Sequence, residues 1–415
     1  MRIEPCALAF TFSLAAASCR DDDANARNPT PVREPRPSPV PPNAPPASGV
    51  RNAPSPAAAS HVVATQVAVG GGVLPECSWS LANAPPACDG HTCARMSDGT
   101  VRCWGFNGNG QLGDGATTAR ATPAPVPGLA NVVEVAAGGA HTCARLADGT
   151  VRCWGANRHG QLGDGTTVDR AAPTPVRGLV HVASLALGHE HSCARIDDGT
   201  VRCWGRNPAG QLGDGTRADH FAPVAAIGLT HVMQMSVGGH HGCAVRDDGS
   251  LWCWGRNDHR QLGDPTEQNH PVPYALAMSG PVLQTGAGDA HSCALMHDRQ
   301  VMCWGWNNSG QLGDGSTSMR AVPALVPALD DIAEIALGPS RTCARTQQGD
   351  VMCVTRTAQP ARVEGVSDAT ALSLSGSHAC ALVRDGTLRC WGRNRAGELG
   401  NGTMNERADV VAIVW

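Results

Sequence analysis

Gly138-Gly139-Ala140-His141-Thr142-Cys143-Ala144-Arg145-Leu146-Ala147-Asp148-Gly149-Thr150-Val151-Arg152-Cys153-Trp154-Gly155 decides the architecture of this chain. Two short runs flank Asp148-Gly149, and Asp-Gly between such runs is a strong hairpin signal. A three-residue loop over 147–149, with Gly149 left-handed, sets Leu146 opposite Thr150 and Cys143 opposite Cys153. A non-hydrogen-bonded antiparallel pair brings its Cα atoms to ~4.5 Å, within disulfide range. The hairpin is therefore expected to carry a cross-strand disulfide, worth ~2–3 kcal/mol in the chain-entropy picture.

The stretch recurs. Cys93, Cys143, Cys193, Cys243, Cys293 and Cys343 stand 50 apart, each with a second cysteine ten residues on, and Cys380 with Cys390 keeps the spacing of ten. The expected bonds are Cys93–Cys103, Cys143–Cys153, Cys193–Cys203, Cys243–Cys253, Cys293–Cys303, Cys343–Cys353 and Cys380–Cys390. A fixed period of this length means one supersecondary unit stacked many times. The chain holds 49 glycines and 30 prolines, and no long stretch keeps a helical apolar period, which favours short strands joined by turns. Past the hairpin comes a Gly/Asn-rich loop, Trp154 to Gly165, then Pro175 to Leu179, then Val182 to Leu187. Four short strands per unit is the content of one propeller blade.

Composition narrows the setting. Eighteen cysteines, fourteen of them in seven regular pairs, point to an oxidising compartment. Zinc would need four ligands, usually as close pairs, and each unit offers C-x9-C with at most one histidine. The net charge of −4 gives no reason to expect nucleic acid as a partner. All 32 basic residues are arginine, a bias that reads first as codon usage.

The first 60 residues read as export and tether. Residues 1–19 form a signal peptide whose short apolar run ends Ala16-Ala17-Ser18-Cys19. That end resembles a lipobox, with Ala16 where leucine is usual; Ala15-Ala16-Ala17 equally fits ordinary signal peptidase. Cysteine parity favours lipid on Cys19, because the remainder then divides into seven hairpin pairs plus Cys77–Cys88. Residues 20–60 carry eleven prolines and form an extended linker, leaving 61–415 as the folded domain. The expected place is the cell envelope or outer surface, with secretion as the alternative and lipid as the only membrane contact.

These residues resemble the RCC1 (regulator of chromosome condensation) repeat family, whose hallmark is a G-x-x-H-x-x-A hairpin followed by W-G-x-N-x-x-G-Q-L-G. The second element starts at Trp104, Trp154, Trp204, Trp254, Trp304 and Trp391, and its last copy reads Gly397-Glu398-Leu399-Gly400. The resemblance covers about residues 61–415 and implies an all-β, seven-bladed propeller. Val62 to Gly70 supplies the strand missing after Trp415, so an N-terminal strand closes the ring. Val73 to Gly90 is an insertion, and the sixth unit loses its loop, with Val354 in place of tryptophan.

The resemblance also carries two activities. The founding member of the family is a guanine-nucleotide exchange factor for the GTPase Ran, a cytosolic task that does not suit an exported chain. Some bacterial propellers of this type inhibit β-lactamases by covering the active-site mouth, so a secreted inhibitor is the second reading.

No catalytic, metal or cofactor site is expected. His91, His141, His191, His241, His291 and His378 recur at one position, broken by Arg341, and read as structural, hydrogen-bonded histidines. The G-D-G loops at Asp114, Asp164, Asp214 and Asp314 lack the further acids of a calcium loop. A glycosidase propeller uses a tyrosine nucleophile with acidic partners, and Tyr274, the single tyrosine, lies in a Pro-flanked segment. What varies between units is the loop after the hairpin: Phe106, Arg158, His159, Arg206, Arg256, His259, Trp306, Arg393 and Arg395. Aromatics and arginine are the types enriched at protein–protein hot spots. The expectation is a monomeric scaffold that binds another protein or a cell-surface macromolecule through one face.

Overall fold

The computed structural model describes residues 62–71, 89–354, 359–413 and 415. The expected lipidation of Cys19, the Cys77–Cys88 pair, the signal peptide and the linker lie outside the described residues. Blade one shows how a unit folds. β1 (Ala64–Gly71) pairs with β2 (Gly90–Met96), β2 with β3 (Val101–Gly105), and β3 with β4 (Arg120–Pro125), all antiparallel. Six more sheets repeat that order over 132–175, 182–225, 232–276, 282–325, 332–362 and 369–413. The seven sheets make a β-propeller whose blades each use four consecutive strands. First strands surround the axis, where Gly70, Gly138, Gly188, Gly238 and Gly288 line a narrow channel.

The hairpin takes the register its sequence dictates. Leu146 N donates to Thr150 O at 2.9 Å, and Gly149 has φ 77°, a conformation cheap only for glycine. Asp148 fixes the turn by accepting from Thr150 N (2.9 Å) and Thr150 Oγ1 (2.6 Å). Cys143 faces Cys153 with 4.1 Å between Cα atoms, and the bond forms. The same bond joins each of the other six pairs.

The cores lie between blades. Cys143, Cys153, Val151 and Leu162 of the second blade pack against Val182, Leu185 and Trp204 of the third. Each disulfide is thus part of an apolar interface, so the cross-link fixes the surface onto which the next blade docks. Blade seven meets blade one the same way. Leu382, Leu388, Leu399 and Ile413 pack on Val67, Val69, Met96 and Trp104, and Val69 N donates to Ser373 Oγ at 3.0 Å. β1 therefore occupies the place its sequence match assigns and lets the ring close. Blade six is the abbreviated one: its fourth strand is only Ala361–Arg362, and Val354 fills the tryptophan position.

Candidate functional site

Blade-to-blade hydrogen bonds account for the recurrent histidines except His191. Nε2 of His91, His141, His241 and His291 lies 2.8–2.9 Å from the hydroxyl of Thr142, Ser192, Ser292 and Thr342 on the following blade. Each hydroxyl donates its own proton to a backbone carbonyl, Thr142 to Gln111 O and Ser192 to Gln161 O at 2.9 Å. The hydroxyl must then accept from the imidazole, which fixes the Nε2–H tautomer. Burial holds His91, His141, His191, His241, His291 and His378 far below the ordinary range, at about 3, so they are neutral.

The loop after Trp154 is equally determined. Asn157 Oδ1 accepts from Leu162 N (2.9 Å), and its Nδ2 donates to Asp164 Oδ1 (3.1 Å). Asp164 also holds Thr166 N and pairs with Arg170 Nε at 2.9 Å. The G-D-G aspartates thus fold the loops, and Asp114 and Asp314 pair with Arg120 and Arg320 in the same way. Tyr274 donates its hydroxyl to Leu262 O. This scaffold leaves the variable loop residues to set the character of the face.

That face is built at one end of the blades. Gly155 pairs with His141, so the turn between first and second strands and the loop after the third strand emerge together. On it, the first four blades enclose an open cavity of about 620 Å³. Phe106, Arg158 and Arg206 line it, as do His189, Glu190 and His240. Arg206 Nη1 pairs with Glu190 Oε2, whose other oxygen is 3.5 Å from His159 Nε2, and His159 Nδ1 is 2.9 Å from Asp219 Oδ2. His189 and His240 meet edge to face, 5.9 Å between centroids. Burial first, and then the neighbouring His189, His191, Arg256 and Arg206, press His240 down to about 2.

The remaining expected positions fall elsewhere. His259 and Trp306 meet with tilted rings across blades four and five, 4.1 Å between centroids, and Arg256 is tied to Asp258 at 2.6 Å. Arg395 stands 4.0 Å from Glu406. Arg393 corrects the sequence reading. It is 2% exposed, with its guanidinium 3.8 Å from Asp89 across the ring closure, so it is not offered to a partner. Conversely, sequence reasoning missed His189, Glu190, His240 and Asp89. They occupy the two variable positions of G-x-x-H, where charge alternates with Gly and Ala from blade to blade; that irregularity was the available signal.

An RCC1-like domain profile matches residues 82–344 and 181–414, and the chain belongs to that family. A crystal structure of Kap60 bound to yeast RCC1 (Prp20) contains a chain similar over 76% of this one and 83% of its own, with 20% identity and a TM-score of 0.69. Prp20p from Saccharomyces cerevisiae, described with its binding to Gsp1p and histones, covers 76% and 86% at 20% identity and a TM-score of 0.67. Human WBSCR16 covers 84% and 82% at 23% identity, TM-score 0.55. At such identities the likeness is one of fold. No match is found among curated proteins.

Proposed function

We propose that this propeller is an exported protein-binding module that engages its partner through the face carrying the loops after the third strands. The observation that carries the reading is the open cavity on that face, where Phe106, Arg158 and Arg206 converge from three successive blades. Aromatic and arginine side chains at a concave site are the usual anchors of a protein interface. The yeast neighbour is described with protein partners, which supports a binding role without naming a partner here. Seven disulfides buried between blades support an oxidising compartment. The lipid on Cys19 and the tether over 20–60 remain part of the proposal.

The test uses the full chain with a captured partner. Changing Phe106, Arg206 and Trp306 together to alanine weakens binding by at least about tenfold and leaves the melting temperature in place. Unchanged affinity moves the partner to the opposite face and ends this reading. Intact-mass analysis of the native protein checks export separately: a lipid-modified Cys19 at the N-terminus supports it, and an intact Met1 with free thiols refutes it.

A further inference from the structure

The cavity on blades one to four holds more hydrogen-bond donors than its own acceptors use. Its acids are engaged except for Oδ1 of Asp89, which has no hydrogen bond. Asp169 accepts from Asn157 N (2.7 Å) and Asn109 Nδ2 (3.2 Å), and Glu190 is held by Arg206 and His159. Asp89 faces the Arg393 guanidinium. Its donors are not all engaged. Gln111 gives its Oε1 to Asn109 N, while its buried Nε2 has no partner. His189 Nδ1 has no hydrogen bond, although the side chain is 10% exposed, and Asp289 Oδ1 stands off at 3.6 Å. Arg158 makes no ion pair or hydrogen bond among the described residues, and it is exposed at the rim.

Resting on the protein-binding reading above, we infer that this cavity receives the carboxylate of an aspartate or glutamate side chain presented by the partner. Buried donors left without acceptors carry a desolvation cost, and an oxygen-rich ligand recovers it. A carboxylate fits the charge better than a phosphate. One unpaired guanidinium with imidazole and amide donors suits a single negative charge, and Asp89, Asp169 and Glu190 in the wall would repel a dianion more strongly. The cavity exceeds one carboxylate in size and is open, so the acid enters on a larger group, with Phe106 available to its apolar part.

The probes are three: the blocked peptide acetyl-Gly-Asp-Gly-amide, its Asn counterpart and free acetate. They are titrated into the full chain at neutral pH with labelled histidine rings, read by nuclear magnetic resonance. His189→Gln and His240→Gln assign the two ring signals. The Asp peptide shifts both signals saturably, the Asn peptide does not, and acetate binds more weakly than the Asp peptide. Arg158→Gln weakens the Asp peptide roughly three- to fivefold. Arg102→Gln, beside the Asp98 turn at the other end of the blade, leaves it unchanged. Equal shifts from both peptides, or none from either, overturn the carboxylate assignment. Acetate binding as tightly as the Asp peptide overturns the partner side chain in favour of a free small acid. Neither result touches the alanine test of the face, so the two readings fail separately.

Discussion

Nε2 of His378 in the last blade lies 2.6 Å from Oγ1 of Thr92 in the first. Thr92 in turn donates to Glu398 O (2.9 Å), and His378 Nδ1 has Ser377 Oγ at 3.0 Å, so this imidazole is partnered at both nitrogens. The bond joins residues 286 apart in sequence. It is the same bond that links neighbouring blades elsewhere, here used to close the ring. Removing it leaves buried polar groups unmet, at about 1–3 kcal/mol. Thr92→Val is expected to lower unfolding stability by that amount in a denaturant titration. Combined with His378→Asn the losses should be less than additive, since both variants break one contact. Full additivity would show that the pair is not coupled.

The buried histidines make the fold acid-sensitive. Each of His91, His141, His191, His241, His291 and His378 sits at about 3 in the fold, against an ordinary 6.5. Between those values the unfolded chain binds protons that the folded chain refuses, so stability falls as pH falls. The window runs from about pH 6.5 downward. Denaturation midpoints should drop steadily from pH 7 to about pH 4, and unfolding at pH 5 should take up close to one proton per buried histidine. Stability that is flat over this range would mean that the imidazoles charge without unfolding.

Glu398 has the opposite sign. It stands where Gln111, Gln161, Gln211, Gln261 and Gln311 stand in other blades, accepting from Ala396 N at 2.9 Å. Burial, with Asp89 adding to it, raises its carboxyl to about 7. The folded chain thus keeps a proton that the unfolded chain has lost, and the stability linked to it is present below the unfolded value and lost as pH rises through about 7. Glu398→Gln removes the titration. The variant should gain about 1–2 kcal/mol over the parent at pH 8 and little at pH 5. An equal effect at both pH values would mean that the carboxyl does not titrate in this range.

The parts of this protein legible in the sequence are those that repeat. Cys143 with Cys153 and Asp148-Gly149 state their geometry locally, since ten residues and one turn fix the register. His141 could be read as structural because its position recurs, but its Ser192 partner could not, because the contact crosses to the next blade. The cavity was not legible for the same reason. His189 and His240 look like turn residues until the ring sets their imidazoles edge to face. Arg393 misled because it shares a repeat position with Arg206; only the closure of blade seven on blade one brings Asp89 to it.

The imidazole with both nitrogens buried and unmet supplies the last expectation. Both nitrogens of His191 are buried and unbonded, because Gly242 stands where the other blades place Thr142 or Ser192. A hydroxyl cannot simply be restored: a Cβ at Gly242 would lie 2.5 Å from Trp254 Cζ2. The tryptophan has taken the space, and His191 carries the desolvation cost of two unmet polar atoms. Replacing it with an apolar group of similar size removes that cost, whereas the same change at His141 breaks a bond to Ser192. His191→Met should therefore leave stability unchanged within about 0.5 kcal/mol or raise it, and His141→Met should lower it by about 1–3 kcal/mol. Denaturant unfolding of the two variants side by side decides the matter. Equal losses would show that His191 is held by packing alone and that its missing hydrogen bond has no energetic weight.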